Sequence, residues 1–372
     1  MRKVVFTEEG FGSGTRRRLA WAGATLILGI ALLASVEAIP QTAPARPPQR
    51  LQDTGLYADF ATLQVDPKHL QFSPQYPLWT DGAAKRRWIS LPPGAAVDGS
   101  DPDAWSFPAG TRIWKEFSFA GQRVETRYLE RQADGQWLYA AYAWSPDGRE
   151  AQLTSERGRR GAYPLQGGRS HAIPSISDCK ACHQGGRSEV LGFSALQLSP
   201  ERDPGAPHAE PLSDVDLNYL IEKGLLVGFP KPLQDTPPRI MAASATERAA
   251  LGYMHGNCGH CHNEQGPLKN VGLFLRHTSG AEVQPAIAST IGHPVKKPAP
   301  GQSPDAVLRI DPGHPDRSGL MQRVASRYPA LQMPPMGTEL VDEEAVALLR
   351  RWVAETDVFR RDVHQEEKGR SR

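Results

Sequence analysis

Every cysteine in the chain lies in one of two short stretches, Cys179-Lys180-Ala181-Cys182-His183 and Cys258-Gly259-His260-Cys261-His262, about eighty residues apart. Two Cys-x-x-Cys pairs can hold zinc, close short disulfides, form dithiol redox centres or anchor two haems. A four-cysteine zinc ribbon separates its pairs by only about 15–20 residues. Disulfides within each pair would suit an oxidising compartment but give no reason for a histidine after each second cysteine. With 11 His in 372 residues, composition alone would put histidine at both 183 and 262 about one time in a thousand. Cys-x-x-Cys-His is the attachment signature of haem c: the thiols add to the two vinyl groups and the adjacent imidazole becomes the proximal iron ligand. The pattern predicts two covalently bound haem c groups, one on Cys179, Cys182 and His183, the other on Cys258, Cys261 and His262.

An iron that only passes electrons takes a sixth ligand, usually Met or His. For the second motif, Gln332-Met333-Pro334-Pro335-Met336 offers Met333, about seventy residues after His262 in a proline-stiffened loop, with Met336 as its rival. For the first motif, Met241, Met254, His255, His171 and His208 are all near in sequence, and spacing does not choose among them. His255 stands out because it precedes Cys258 by so little.

The surrounding elements must position these ligands. Residues 1–38 read as a secretory signal peptide or a membrane anchor: Arg16, Arg17 and Arg18 precede an apolar run ending in the small-residue spacing Val36-x-Ala38. That run is close to the shortest that spans a bilayer. The expected location is the periplasm, free or anchored to the inner membrane. Residues 39–50 read as a proline-rich linker. Residues 51–165 hold six of the eight tryptophans in short alternating runs broken by turn residues, which predicts an all-β, sandwich-like domain with the tryptophans in its core.

Residues 166–243 form a first, atypical haem region with no helix ahead of Cys179; its clear helix is expected to start at Ser213 and stop at Gly224. Residues 244–358 read as a mainly α, cytochrome c-like second haem domain. Ser244-x-x-Glu247 caps a helix running into Cys258. Val341, Ala345, Leu348, Leu349, Trp352 and Val353 make one apolar face of a last helix, expected to pack on the helix ending near Met254. Residues 359–372 are a charged tail. The fold class is thus multi-domain α+β. A net charge of +2 gives no reason to expect nucleic acid, and Lys85-Arg86-Arg87 reads as solvated surface.

Taken together, "YPLWTDGAAKRRWISLPPG", "FPAGT", "ETRYLER", "IPSISDCKACH", "YMHGNCGHCH", "DPGHPDRSGL" and "QMPPMGT" give the chain its resemblance to an uncharacterised family of exported bacterial dihaem c-type cytochromes with a tryptophan-rich N-terminal β region. The similarity runs from about Leu56 to Val353. It implies the same six motif residues for the two haems and Met333 for the second iron, since Met336 stands where the family often has Leu. Its His-x-Asn-Cys element favours His255. No substrate comes with the family. The leading expectation is an electron carrier between an exported dehydrogenase or cytochrome and a downstream acceptor. The alternatives are a dihaem peroxidase-like enzyme with one open iron, and a binding module whose β region recognises a ligand while the haems report on it.

Overall fold

The computed structural model describes residues 46–356, apart from 212, 304 and 305. The expected signal or anchor (1–38), most of the linker and the charged tail lie outside the described residues. No helix among the described residues is long and apolar enough to cross a membrane.

The strands are β1 (Tyr57–Asp59), β2 (Gln64–Val65), β3 (Leu70–Gln71), β4 (Ala84–Ser90), β5 (Val97–Asp98), β6 (Arg112–Phe119), β7 (Gln122–Arg131), β8 (Trp137–Trp144), β9 (Ala151–Leu153), β10 (Arg159–Pro164), β11 (Ser170–Ile173) and β12 (Leu226–Val227). Six of them make an antiparallel sheet in the order β3-β4-β6-β7-β8-β9. Because side chains alternate across the pleat, the register sorts them into two faces. Ile89, Ile113, Leu129 and Tyr139 are neighbours on one face, and Trp88, Trp114, Tyr128 and Ala140 on the other.

The tryptophan face packs under the N-terminal segment, with Leu51, Leu56 and Tyr57 in the same core. The Trp114 indole donates to Thr54 Oγ1 at 2.9 Å, which lets that ring be buried without an unpaired N–H. The core on the isoleucine face takes in the small β5–β12 sheet, through Val97 and Leu226, together with Trp105 and Phe107. It is completed by Cys179, Val190, Phe193, Leu198, Leu217, Leu220, Leu226 and Phe229, and β12 adds in parallel to β5, Leu226 opposite Val97. In place of the expected sandwich, the six-stranded sheet has a mixed second layer, made by residues 97–107 and 179–229. Both faces carry large apolar side chains, so each needs a cover, and the later chain supplies one of them. Residues 48–50 also dock: Pro48 O accepts from the Tyr142 hydroxyl at 2.8 Å and Gln49 O from the Leu153 N–H at 2.9 Å. The chain is thus fixed on the sheet before the expected linker ends.

The helices are α1 (Ile176–His183), α2 (Leu217–Glu222), α3 (Lys231–Asp235), α4 (Ala245–Asn257), α5 (Pro285–Thr290), α6 (Gly319–Val324) and α7 (Glu343–Glu355). α2 is capped by Asp216, whose carboxylate accepts the Tyr219 N–H, and not by Ser213. It ends at Gly224 with φ 66°, the left-handed turn that glycine takes without strain. α4 starts at Ser244, whose side chain accepts the Glu247 N–H. The α7 residues Ala345, Leu348, Leu349, Trp352 and Val353 pack with Ala249, Ala250 and Met254 of α4 in one core. The expected pairing of these two helices is thus present.

Since the core on one face of the sheet is completed largely by residues 179–229, a fragment of residues 51–165 should show no cooperative thermal transition by circular dichroism, whereas residues 46–356 should melt cooperatively. A sharp transition in the short fragment would mean that the sheet is self-sufficient.

Candidate functional site

The first motif builds its own helix. Ser175 accepts the Asp178 N–H at 3.1 Å while Asp178 accepts the Ser175 N–H at 2.9 Å, a reciprocal cap that starts α1. No α-helix comes before it among the described residues; a short 3-10 turn, Gln166–Gly168, and β11 lead through Pro174 into Ser175. One turn of α1 puts Cys179, Cys182 and His183 on a shared face, because i, i+3 and i+4 coincide on a helix.

That face borders a cavity of about 430 Å³, a size typical of cofactor sites. Phe72, Ile113, Leu129 and Val190 give it apolar walls. His183 Nδ1 lies 2.5 Å from Glu189 O. A carbonyl only accepts, so Nδ1 carries the proton and Nε2 keeps a free lone pair. Burial pushes the His183 pKa down to about 4, keeping the imidazole in the neutral, metal-binding form at ordinary pH.

The sheet floor of this cavity carries charge. Arg87, Lys115 and Arg127 stand directly opposite one another on β4, β6 and β7, and all three line the cavity. Like charges in one cross-strand row are destabilising. Arg87, only 3% exposed, pairs with Glu210 at 2.5 Å, yet its Nη2 is buried with no hydrogen-bond partner. Arg127 pairs with Glu125. Lys115 has its ammonium 4.9 Å from the Phe117 ring; burial, then Arg87 and Lys85, push its pKa well below the ordinary lysine value. Lys85 is pushed down to about 8, again chiefly by burial. Of the run Lys85-Arg86-Arg87, only Arg86 is solvated surface as expected; Lys85 is half-buried and Arg87 buried, because the pleat turns both to the other face. Arg157, Arg159 and Arg160 add three more cations to the wall. Of the three lining carboxylates, Asp178 is engaged in capping, Asp81 accepts the Glu339 and Leu340 N–H groups, and Glu339 pairs with Arg169 at 3.5 Å. An apolar slot with excess positive charge fits haem c, a flat apolar ring bearing two carboxylates.

The second motif follows α4 directly, with Cys258 as its C-cap. The Cys261 and His262 N–H groups both bond Cys258 O, at 3.1 and 2.9 Å. The two motifs touch. Asn263 Nδ2 donates to Gly185 O at 2.8 Å, just past the first motif, and to Gly259 O and His260 O within the second. A Cβ at Gly185 would overlap His260 O. Close approach requires glycine at that position.

No disulfide joins the four cysteines. Burial pushes Cys179 and Cys261 up to about 11 and Cys258 up to about 12, the reverse of the depressed values that make a dithiol redox pair reactive. Among the described residues no three His, Cys, Asp or Glu side chains converge as a metal cage.

Several candidate ligands are otherwise engaged. His171 Nε2 is 3.1 Å from Glu125 and His208 Nε2 is 2.8 Å from Asp342. His255 Nδ1 accepts the His277 N–H at 3.1 Å; its proton is then on Nε2, and in this arrangement neither nitrogen offers a lone pair. Met254 is fully buried in the α4–α7 core and Met241 is exposed. Met333 is held by its backbone, donating to Arg323 O at 3.1 Å and accepting from Arg327 at 3.3 Å. Burial, then Arg309 and Arg323, lower the His262 pKa. Met336 lines the first cavity instead.

Sequence reasoning missed the cationic row and His260, which also lines the first cavity. Strand alternation held the signal for the first. The second was inside the motif.

No family model, curated protein or solved structure matches the chain.

Lys115 is the member of the row without a carboxylate contact, so Lys115→Met should stabilise the haem-free protein by about 1–3 kcal/mol, the cost of an uncompensated buried polar group. Between its lowered folded pKa and the ordinary value of about 10.4, the unfolded lysine binds more protons than the folded one. Stability of the haem-free wild type therefore rises with pH across that window, and the variant should lose part of the rise. Urea midpoints at several pH values check both; a destabilised variant would contradict this account of the row.

Proposed function

We propose that this chain is a dihaem c-type cytochrome that carries electrons between an exported dehydrogenase or cytochrome and a downstream acceptor in the periplasm. The observation that carries this reading is the first motif's setting: Cys179, Cys182 and His183 on one face of α1, bordering a cofactor-sized cavity, with the free nitrogen of His183 fixed by the Glu189 carbonyl. Haem c, once attached, supplies one-electron iron chemistry whose potential depends on the axial ligands.

The chain's own residues supply the rest. Cys179 and Cys182 give the thioether sulfurs at the first site, and Cys258 and Cys261 at the second. His183 and His262 give the proximal nitrogens. The Arg87–Lys115–Arg127 row offsets carboxylate charge in a dry setting, where an unpaired anion would be costly. Asn263 keeps the two motifs in contact, as a short electron path between two centres requires. α4 running into Cys258 with α7 packed across it supports the cytochrome c-like reading of the second site, with Met333 as the sixth ligand. A thioether there favours a relatively high potential, which suits delivery to an oxidase-side acceptor.

The first test is stoichiometry. Protein from a haem c-maturing host should give two haems per polypeptide by pyridine haemochrome assay and keep its colour through denaturation and acidic acetone. The Cys179→Ala/Cys182→Ala and Cys258→Ala/Cys261→Ala double variants should each retain one. Extractable haem, or one haem in the wild type, overturns the reading.

The second test concerns the sixth ligand. Met333→Ala should remove the weak ferric absorption near roughly 695 nm that reports an iron–thioether bond and open one ferrous iron to carbon monoxide. Met336→Leu, similar in volume, should preserve both properties. Loss of the band only in Met336→Leu would reassign the ligand.

A further inference from the structure

We infer that His260, a residue inside the second motif, is the sixth ligand of the iron at the first motif. The inference rests on the two-haem reading above and deepens it by naming a cross-motif ligand.

The turn of the second motif sets the geometry. With Cys261 and His262 both bonded back to Cys258 O, Cys258, Cys261 and His262 share one face at i, i+3 and i+4. His260, at i+2, falls on the other face, away from the group its own motif would hold. His260 lines the same cavity as Cys179, Cys182 and His183, whereas Cys258, Cys261 and His262 do not.

His260 is fixed there and not otherwise engaged. Its carbonyl is held by the Asn263 amide at 3.1 Å and packs where a Cβ on Gly185 would have to go. Its ring Nδ1 is buried with no hydrogen-bond partner. A buried, unpaired imidazole nitrogen is costly, and an iron in the cavity gives the ring a partner. The other candidates do not reach the cavity: His171, His208, His255, Met241 and Met254 are all absent from its walls. Met336 is the one competitor on the wall; it is 41% exposed, on a loop, where a weak thioether ligand is poorly held.

The experiment uses the full-length, haem-loaded protein. The wild type should contain two haems, both low-spin in the ferric state by electron paramagnetic resonance. His260→Ala should keep two covalent haems and the absorption near roughly 695 nm, yet turn about half the ferric haem high-spin, and added imidazole should restore it. His260→Met, which remains informative if the alanine variant fails to mature, should stay low-spin with one of the two reduction potentials raised. Met336→Leu should change none of these signals. A fully low-spin His260→Ala, a His260→Met with both potentials unmoved, or a high-spin haem produced by Met336→Leu overturns the ligand while leaving two haems standing. Fewer than two haems in the wild type overturns the parent reading, and this inference with it.

Discussion

One side-chain amide sets the relation between the two motifs. Asn263 is 3% exposed; its nitrogen serves Gly185, Gly259 and His260 carbonyls, and its oxygen accepts the Gln265 and Gly266 N–H groups. A carboxamide is needed because the site presents acceptors on one side and donors on the other. Aspartate would turn an acceptor toward three carbonyls, and alanine would leave those groups to find other partners. The contact fixes how the end of α1 meets the turn after α4, and so which side chains of the second turn reach the first cavity.

The sheet is the other half of the site. A surface built for packing would not place Arg87, Lys115 and Arg127 in one row beneath a helix. The row breaks the cross-strand charge rule while the rows of Ile89–Ile113–Leu129 and Trp88–Trp114–Tyr128 obey the alternation expected of a doubly covered sheet. Local rules broken at one place, inside an otherwise consistent element, mark function more often than accident. The bland part of the sheet gives the rigidity, and the broken row gives the electrostatics.

Much of this was legible in the sequence because it is local. The Ser244 cap, the α7 stripe from Ala345 to Val353, the Gly224 stop and both motifs depend on residues within a few positions of each other. What was not legible depends on distant pairing. Which of Lys85, Arg86 and Arg87 faces inward is decided by the register of β4 on β6, and the cover of the Ile113 face by residues 179–229, which have little periodicity of their own. Asp216 rather than Ser213 caps α2 because its carboxylate, not the serine hydroxyl, meets the Tyr219 N–H. His260 was hidden differently, inside a motif whose other residues had already been assigned.

Cys179 belongs to the core beneath the sheet and is 8% exposed, while β12, which helps close that core, pairs with a strand about 130 residues earlier. An enzyme that joins haem to a thiol needs to reach the sulfur. If thioethers form at Cys179 and Cys182, they must form after the sheet strands have emerged but before Leu226 docks beside Val97. On that reading attachment has a deadline, set by the closure of β12 on β5 across about 130 residues of chain.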